Sequence, residues 1–182
     1  MNQYNFSTIN DKELEELVRD LLSQEFSIPF QSFKIGKDKG IDLRYSTSND
    51  ENSIIVQVKH YLKSGYNQLL RVLEKKEKPK IEYLNPARYI LVTSIGLSPS
   101  DKEKIKKVLE PYILNTNDIF GCDDLNRLLM KFAEIEKRHF KLWFSNISII
   151  QKIINNGIDG RSAFIEEKIK KKYWIVCHQQ II

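Results

Sequence analysis

Leu14, Leu17, Val18, Leu21 and Leu22 recur at the spacing of one helix face and predict a helix from about Lys12 to Glu25. Asn10-Asp11 caps it, and it ends before Pro29. Phe30 to Ile35 alternates loosely and predicts a first strand. Ile41 to Tyr45 and Ile54 to Lys59 read as the arms of a hairpin, turned by the polar run Ser46 to Ser53. Ser64 to Lys78 predicts a helix carrying Tyr66, Leu69, Leu70 and Leu73, whose charged end, Glu74 to Lys78, is expected to be solvated before Pro79. Ala87 to Ser94 is a near-continuous apolar run, as expected at the centre of a sheet with helices on both faces. Ser98-Pro99-Ser100-Asp101 starts another helix through Ile105, Val108 and Leu109. A short strand at Asn117 to Gly121 and a helix at Asp123 to Phe132 follow.

From Ala133 the character changes. Glu134 to Phe144 and Ile147 to Ile154 read as apolar-rich helices broken by Asn155-Asn156-Gly157, then Ser162 to Lys172 as a charged helix and Tyr173 to Cys177 as a strand-like run. The expected division is a first domain over residues 1–133 and a helical connector over 134–182, leading to a further module.

The 41% hydrophobic and 29% charged content is that of a soluble globular chain, and 182 residues suffice for one domain with a sizeable core. The net charge of +5 is compatible with a polyanionic partner without requiring one. No apolar run approaches bilayer-spanning length, and Met1 to Asn10 lacks the regions of a signal peptide, so no membrane association and a cytoplasmic location are expected. Cys122 and Cys177 suggest neither a zinc knuckle nor a disulfide framework.

The candidate chemistry gathers on the hairpin. Side chains alternate along a strand, so Gln57 and Lys59 share a face while Ile54, Val56 and Val58 point into a core. With Tyr45 opposite Ile54, antiparallel pairing sets Asp42 opposite Gln57. An acid, an amide oxygen and an ammonium then converge, as a metal and a phosphate require. Lys37 and Lys39, in the turn between Gly36 and Gly40, and Arg44 are candidate contacts to nucleic-acid phosphates. On the first helix Glu15 borders the buried stripe beside Val18 and Leu22, whereas Glu16 and Asp20 lie toward the opposite side. His60, His139 and His178 are isolated and read as structural or exposed.

Gly36-x-Asp38-x-Gly40-Ile41-Asp42 followed by Gln57-x-Lys59 resembles the Mrr-like branch of the PD-(D/E)xK restriction-endonuclease superfamily, in which a Gln commonly replaces the second acid. Leu14-Glu15-Glu16-Leu17-Val18 looks like the Mrr-type Phe-Glu-x-Leu-Val helix. The resemblance covers roughly the first two-thirds of the chain, with its specific part on the hairpin. It implies an α/β fold with a central mixed sheet of four to five strands flanked by helices, followed by a C-terminal helical extension. Glu15 becomes the expected helix ligand, with Glu16 as the fallback, and Gln68 a polar residue facing substrate.

The implied activity is Mg²⁺-dependent endonucleolytic cleavage of double-stranded DNA, with Mn²⁺ as a possible substitute. Asp42, the Gln57 side-chain oxygen, the Val58 carbonyl and Glu15 would hold the metal, and Lys59 would orient water or stabilise charge on phosphorus. Cutting both strands implies a homo-oligomer, a dimer or tetramer. The layout also resembles the N-terminal effector of bacterial STAND-type antiphage NTPases, whose NTPase or sensor region would lie beyond residue 182, since no Gly-x-x-x-x-Gly-Lys-Ser/Thr occurs here. The rival expectation is a non-catalytic nucleic-acid-binding or oligomerisation module of the same fold; an RNA or branched-DNA nuclease would share the chemistry.

Overall fold

The structure, a computed structural model, describes residues 4–32, 41–47, 50–61 and 65–145. The expected Gly36–Gly40 turn with Lys37 and Lys39, and every element expected after residue 145, lie outside the described residues. Helix α1 spans Asp11–Phe26, and Asn10 and Glu13 cap each other's backbone reciprocally at its start. Its buried stripe is the predicted one, Leu14, Leu17, Val18, Leu21 and Leu22. Only Gln31–Ser32 of the expected first strand is described, as β1.

Strands β2 (Leu43–Thr47) and β3 (Asp50–Lys59) form the hairpin. Tyr45 pairs with Ile54 and Leu43 with Val56, the predicted register. The expected turn is overturned in extent: pairing continues to Thr47 and Asp50, past an irregularity between Tyr45 and Thr47. Polar side chains do not prevent a backbone ladder, and near a hairpin tip no core demands alternation.

Helix α2 (Tyr66–Val72) runs into a single π turn at Leu73–Glu77 and on into α3 (Lys78–Leu84). The expectation that Pro79 ends the helix is therefore wrong. Pro79 falls in the first turn of α3, where a missing N–H costs least. Strand β4 (Arg88–Thr93), helix α4 (Pro99–Leu109), strand β5 (Ile119–Phe120) and helix α5 (Cys122–Lys131) follow as expected. The segment expected as one helix from Glu134 to Phe144 is α6 (Ala133–Arg138) followed by a 3-10 turn at Phe140–Ser145.

The five strands lie in the order β1-β2-β3-β4-β5, antiparallel from β1 to β3 and parallel from β3 to β5. This mixed sheet flanked by helices matches a restriction-endonuclease-like α/β fold. Two cores cover it. Leu43, Val56, Val58, Ile90 and Val92 pack with the stripes of α1 and α5, where Ile135 of α6 and Leu142 are also buried. Ile55, Tyr89 and Leu91 pack with Leu69, Leu73, Ile81, Ile105 and Leu109 on the other face. Among the described residues no helix is long and apolar enough to cross a membrane.

Leu17 is fully buried where α1 meets the sheet. Leu17→Ala is expected to cost about 2–5 kcal/mol through lost burial and a residual cavity. A drop in the urea midpoint at unchanged m-value would show it.

Candidate active site

Asp42 sits immediately before β2, at the position that the register sets opposite Gln57. Its Oδ2 accepts from the Val58 N–H at 2.7 Å and from the Gln57 amide Nε2. Alternation places Gln57 and Lys59 on the same face of β3, the face that also carries Ile55. Gln57 is 4% exposed, so its amide is fixed by its surroundings rather than by water. With its NH₂ on Asp42, Oε1 is the amide atom left for a cation.

Lys59 closes β3, and its Nζ lies 3.0 Å from Glu77 Oε1. Glu15 is half-buried and paired with Lys12 at 2.8 Å. Burial pushes the Asp42 carboxyl up to about 6 against the Val58 N–H; Glu15 pushes it further up, Lys59 opposes, and Glu77 adds to the rise. Glu15 is thus within electrostatic reach of Asp42. Glu16 is exposed and lines a separate cleft with Arg19, Asp20 and His139.

Arg44 pairs with Ile55, is half-buried, and shares the face of Asp42 and Gln57. Gln68 is exposed on α2. His60 is structural: its Nε2 lies 3.0 Å from the Ile9 carbonyl and its Nδ1 2.8 Å from Ser94 Oγ, tying the end of β3 to the segment before α1 and to the residue after β4. A carbonyl only accepts, so Nε2 carries a proton. His139 lies 3.2 Å from Asp20.

The residue that sequence reading missed is Glu77. Its run is otherwise solvated, as expected, with Glu74, Lys75 and Lys76 exposed, but Glu77 is 3% exposed. A signal existed, since Leu69, Leu73, Glu77 and Ile81 repeat every four residues and leave an acid in an apolar stripe. In an α-helix a four-residue step overshoots one turn by about 40°. The wider π turn offsets that drift and keeps Glu77 aligned with the stripe.

The donor set suits a hard divalent cation. Among the described residues Asp42 accepts from two neutral donors, while Glu15 and Glu77 have ammonium partners. An amide oxygen and a strand carbonyl complete an all-oxygen set. Among the described residues no three His, Cys, Asp or Glu side chains gather closely enough to chelate a metal.

The sequence model of the restriction endonuclease family Mrr_cat matches residues 6–116, which include Asp42, Gln57 and Lys59. The chain is also 37% identical over 169 residues to the uncharacterized protein y4cD of Sinorhizobium fredii (strain NBRC 101917 / NGR234). That match covers 93% of this chain but 26% of the relative, so the chain spans about a quarter of the relative's length.

Asp42 gives a pH signature. Its folded value, about 6, lies above its ordinary 3.8. Its contribution to stability is therefore full below about 4 and is lost as pH rises to about 6. Metal-free Asp42→Asn should gain stability relative to the wild type across that window and hold the gain above it, as read from urea unfolding at each pH. A pH-independent difference would contradict the buried carboxyl.

Proposed function

The chain belongs to the Mrr_cat restriction endonuclease family, and on that premise we propose that it is a divalent-metal-dependent endonuclease acting on double-stranded DNA with little sequence preference. Mg²⁺ is the proposed ion, with Mn²⁺ as a substitute. The observation that carries this reading is Asp42 held by Gln57 and the Val58 N–H on the strand that ends in Lys59.

Domains of this type generally use divalent metals, and the all-oxygen donor set suits one. When bound, the cation supplies an activated water and polarises the scissile phosphate. Asp42 would hold it directly, with Gln57 Oε1, the Val58 carbonyl and Glu15 completing the protein's share. The Lys59 ammonium is a fixed positive charge facing the position of the phosphate, and it would orient water or stabilise charge building on phosphorus. Lys37, Lys39, Arg44 and Gln68 are proposed contacts along the DNA, the first three to phosphates.

A single site cuts one strand, so a symmetric dimer or tetramer is proposed for duplex cleavage. In the whole protein a C-terminal NTPase or sensor region would cluster such domains, in the manner of an antiphage effector. The neutral amide at position 57 favours one alternative, a DNA-binding module of the same fold that does not cleave.

Supercoiled plasmid incubated with concentrated protein should be nicked or linearised with Mg²⁺ or Mn²⁺ and left intact with chelator. Asp42→Ala and Lys59→Ala should each lower the rate about a hundredfold or more with the fold preserved. Variants that cut as well as the parent would refute the nuclease reading. Salt-sensitive DNA binding without product under any divalent metal would establish the binding module instead.

A further inference from the structure

A buried carboxylate backs the strand end that carries Lys59. Glu77 Oε1 lies 3.0 Å from Lys59 Nζ and 3.2 Å from Lys80 Nζ, so one oxygen bridges an ammonium at the site and one at the surface. Burying a carboxylate is unfavourable unless it is paired, and the equivalent stripe positions at 69, 73 and 81 are aliphatic. Packing alone would be better served by a leucine. The backbone is also unusual, since Glu77 completes the single π turn, a local widening frequent at functional sites.

The surroundings are polar in a way that the core does not need. Tyr89 of β4 is fully buried on the face shared by Gln57 and Lys59, and its hydroxyl has no hydrogen-bond partner among the described residues. Burial, then the charges of Glu77 and Asp42, hold the proton on that hydroxyl. Tyr61, partly buried, is likewise pushed up by burial and then by Glu77. Glu77 therefore projects its field across the wall of the site that contains Asp42 and Lys59.

We propose that Glu77 is the positioning residue for Lys59: it holds the ammonium in one place at the end of β3, so that the charge is in position before DNA arrives. A lysine side chain is flexible and has three donors. The ion pair with Glu77 fixes the ammonium, whose donors then serve a phosphate oxygen and a water. Lys80 shares the same oxygen, which balances the acid without drawing Lys59 away from the site. This inference rests on the nuclease reading of Lys59.

The test combines kinetics on a fluorescent duplex with ¹⁵N NMR of the lysine ammonium groups in the full chain. In the wild type Lys59 should give a slowly exchanging ammonium signal, assigned by its loss in Lys59→Ala. Glu77→Gln should abolish that signal and lower kcat roughly ten- to a hundredfold, with KM moving less than threefold. Glu77→Asp, which keeps the charge, should recover part of both, and it carries the same test should Glu77→Gln fail to fold. The proposal is overturned by any of three results: no Lys59 signal in the wild type, a signal that survives Glu77→Gln, or a Glu77→Gln kcat within twofold of wild type while Lys59→Ala is inactive. Equal cutting by Lys59→Ala and the wild type overturns the nuclease reading instead, and the ammonium signal still judges the Glu77 contact.

Discussion

A slip of one residue between β2 and β3 would carry Asp42 to the opposite face of the sheet from Gln57, because side chains alternate with a period of two. Burial on both sides prevents it. Leu43 and Val56 are paired and fully buried against α1, while Ile55 is buried against α2 and α3. Shifting the register would bring Arg44 into the first core and take Leu43 out of it, a far larger cost than any single hydrogen bond at the site returns. The Val58 N–H then fixes the carboxylate along the strand as well as across it. The site is thus assembled by the same packing that makes the sheet.

That packing also sets the electrostatics. Among the described residues Glu15 has Lys12, and Glu77 has Lys59 and Lys80, whereas Asp42 accepts from an amide and a backbone N–H. In a partly buried position such a carboxylate takes up a proton more readily than usual, as its rise to about 6 records. A cation placed beside it would restore its charge. A surface carboxylate would be ionised anyway and would bind an ion weakly through water.

The register, the stripe of α1 and the order of elements were legible because each follows from a burial pattern with a fixed period. Tyr45 opposite Ile54 needed only alternation and a turn. What escaped reading either lacked such a period or had it hidden by a charge run. The ladder from Thr47 to Asp50 is held by backbone groups, which every residue has, so polar side chains there were mistaken for a loop. Pro79 looked like a stop because a regular α-helix breaks at proline, whereas a π turn re-phases the chain just before it. Glu77 was hidden by its neighbours: Glu74, Lys75 and Lys76 are solvated, and a charge run conceals the one member that turns inward.

The amide at position 57 has a physical logic of its own. An acid there would face Asp42 as a second negative charge, and the two would repel until a cation arrived or one of them took a proton. Gln57 instead donates to Asp42 and holds it in place through a neutral hydrogen bond. The exchange gives up one unit of attraction for the metal in return for a carboxylate whose orientation is already fixed. Glu15 and Glu77 add negative potential at Asp42, and each is tied to lysine. The outcome is a site ordered mainly by neutral hydrogen bonds and charged mainly from its periphery. In such an arrangement, assembly of the fold and affinity for a divalent ion can vary separately.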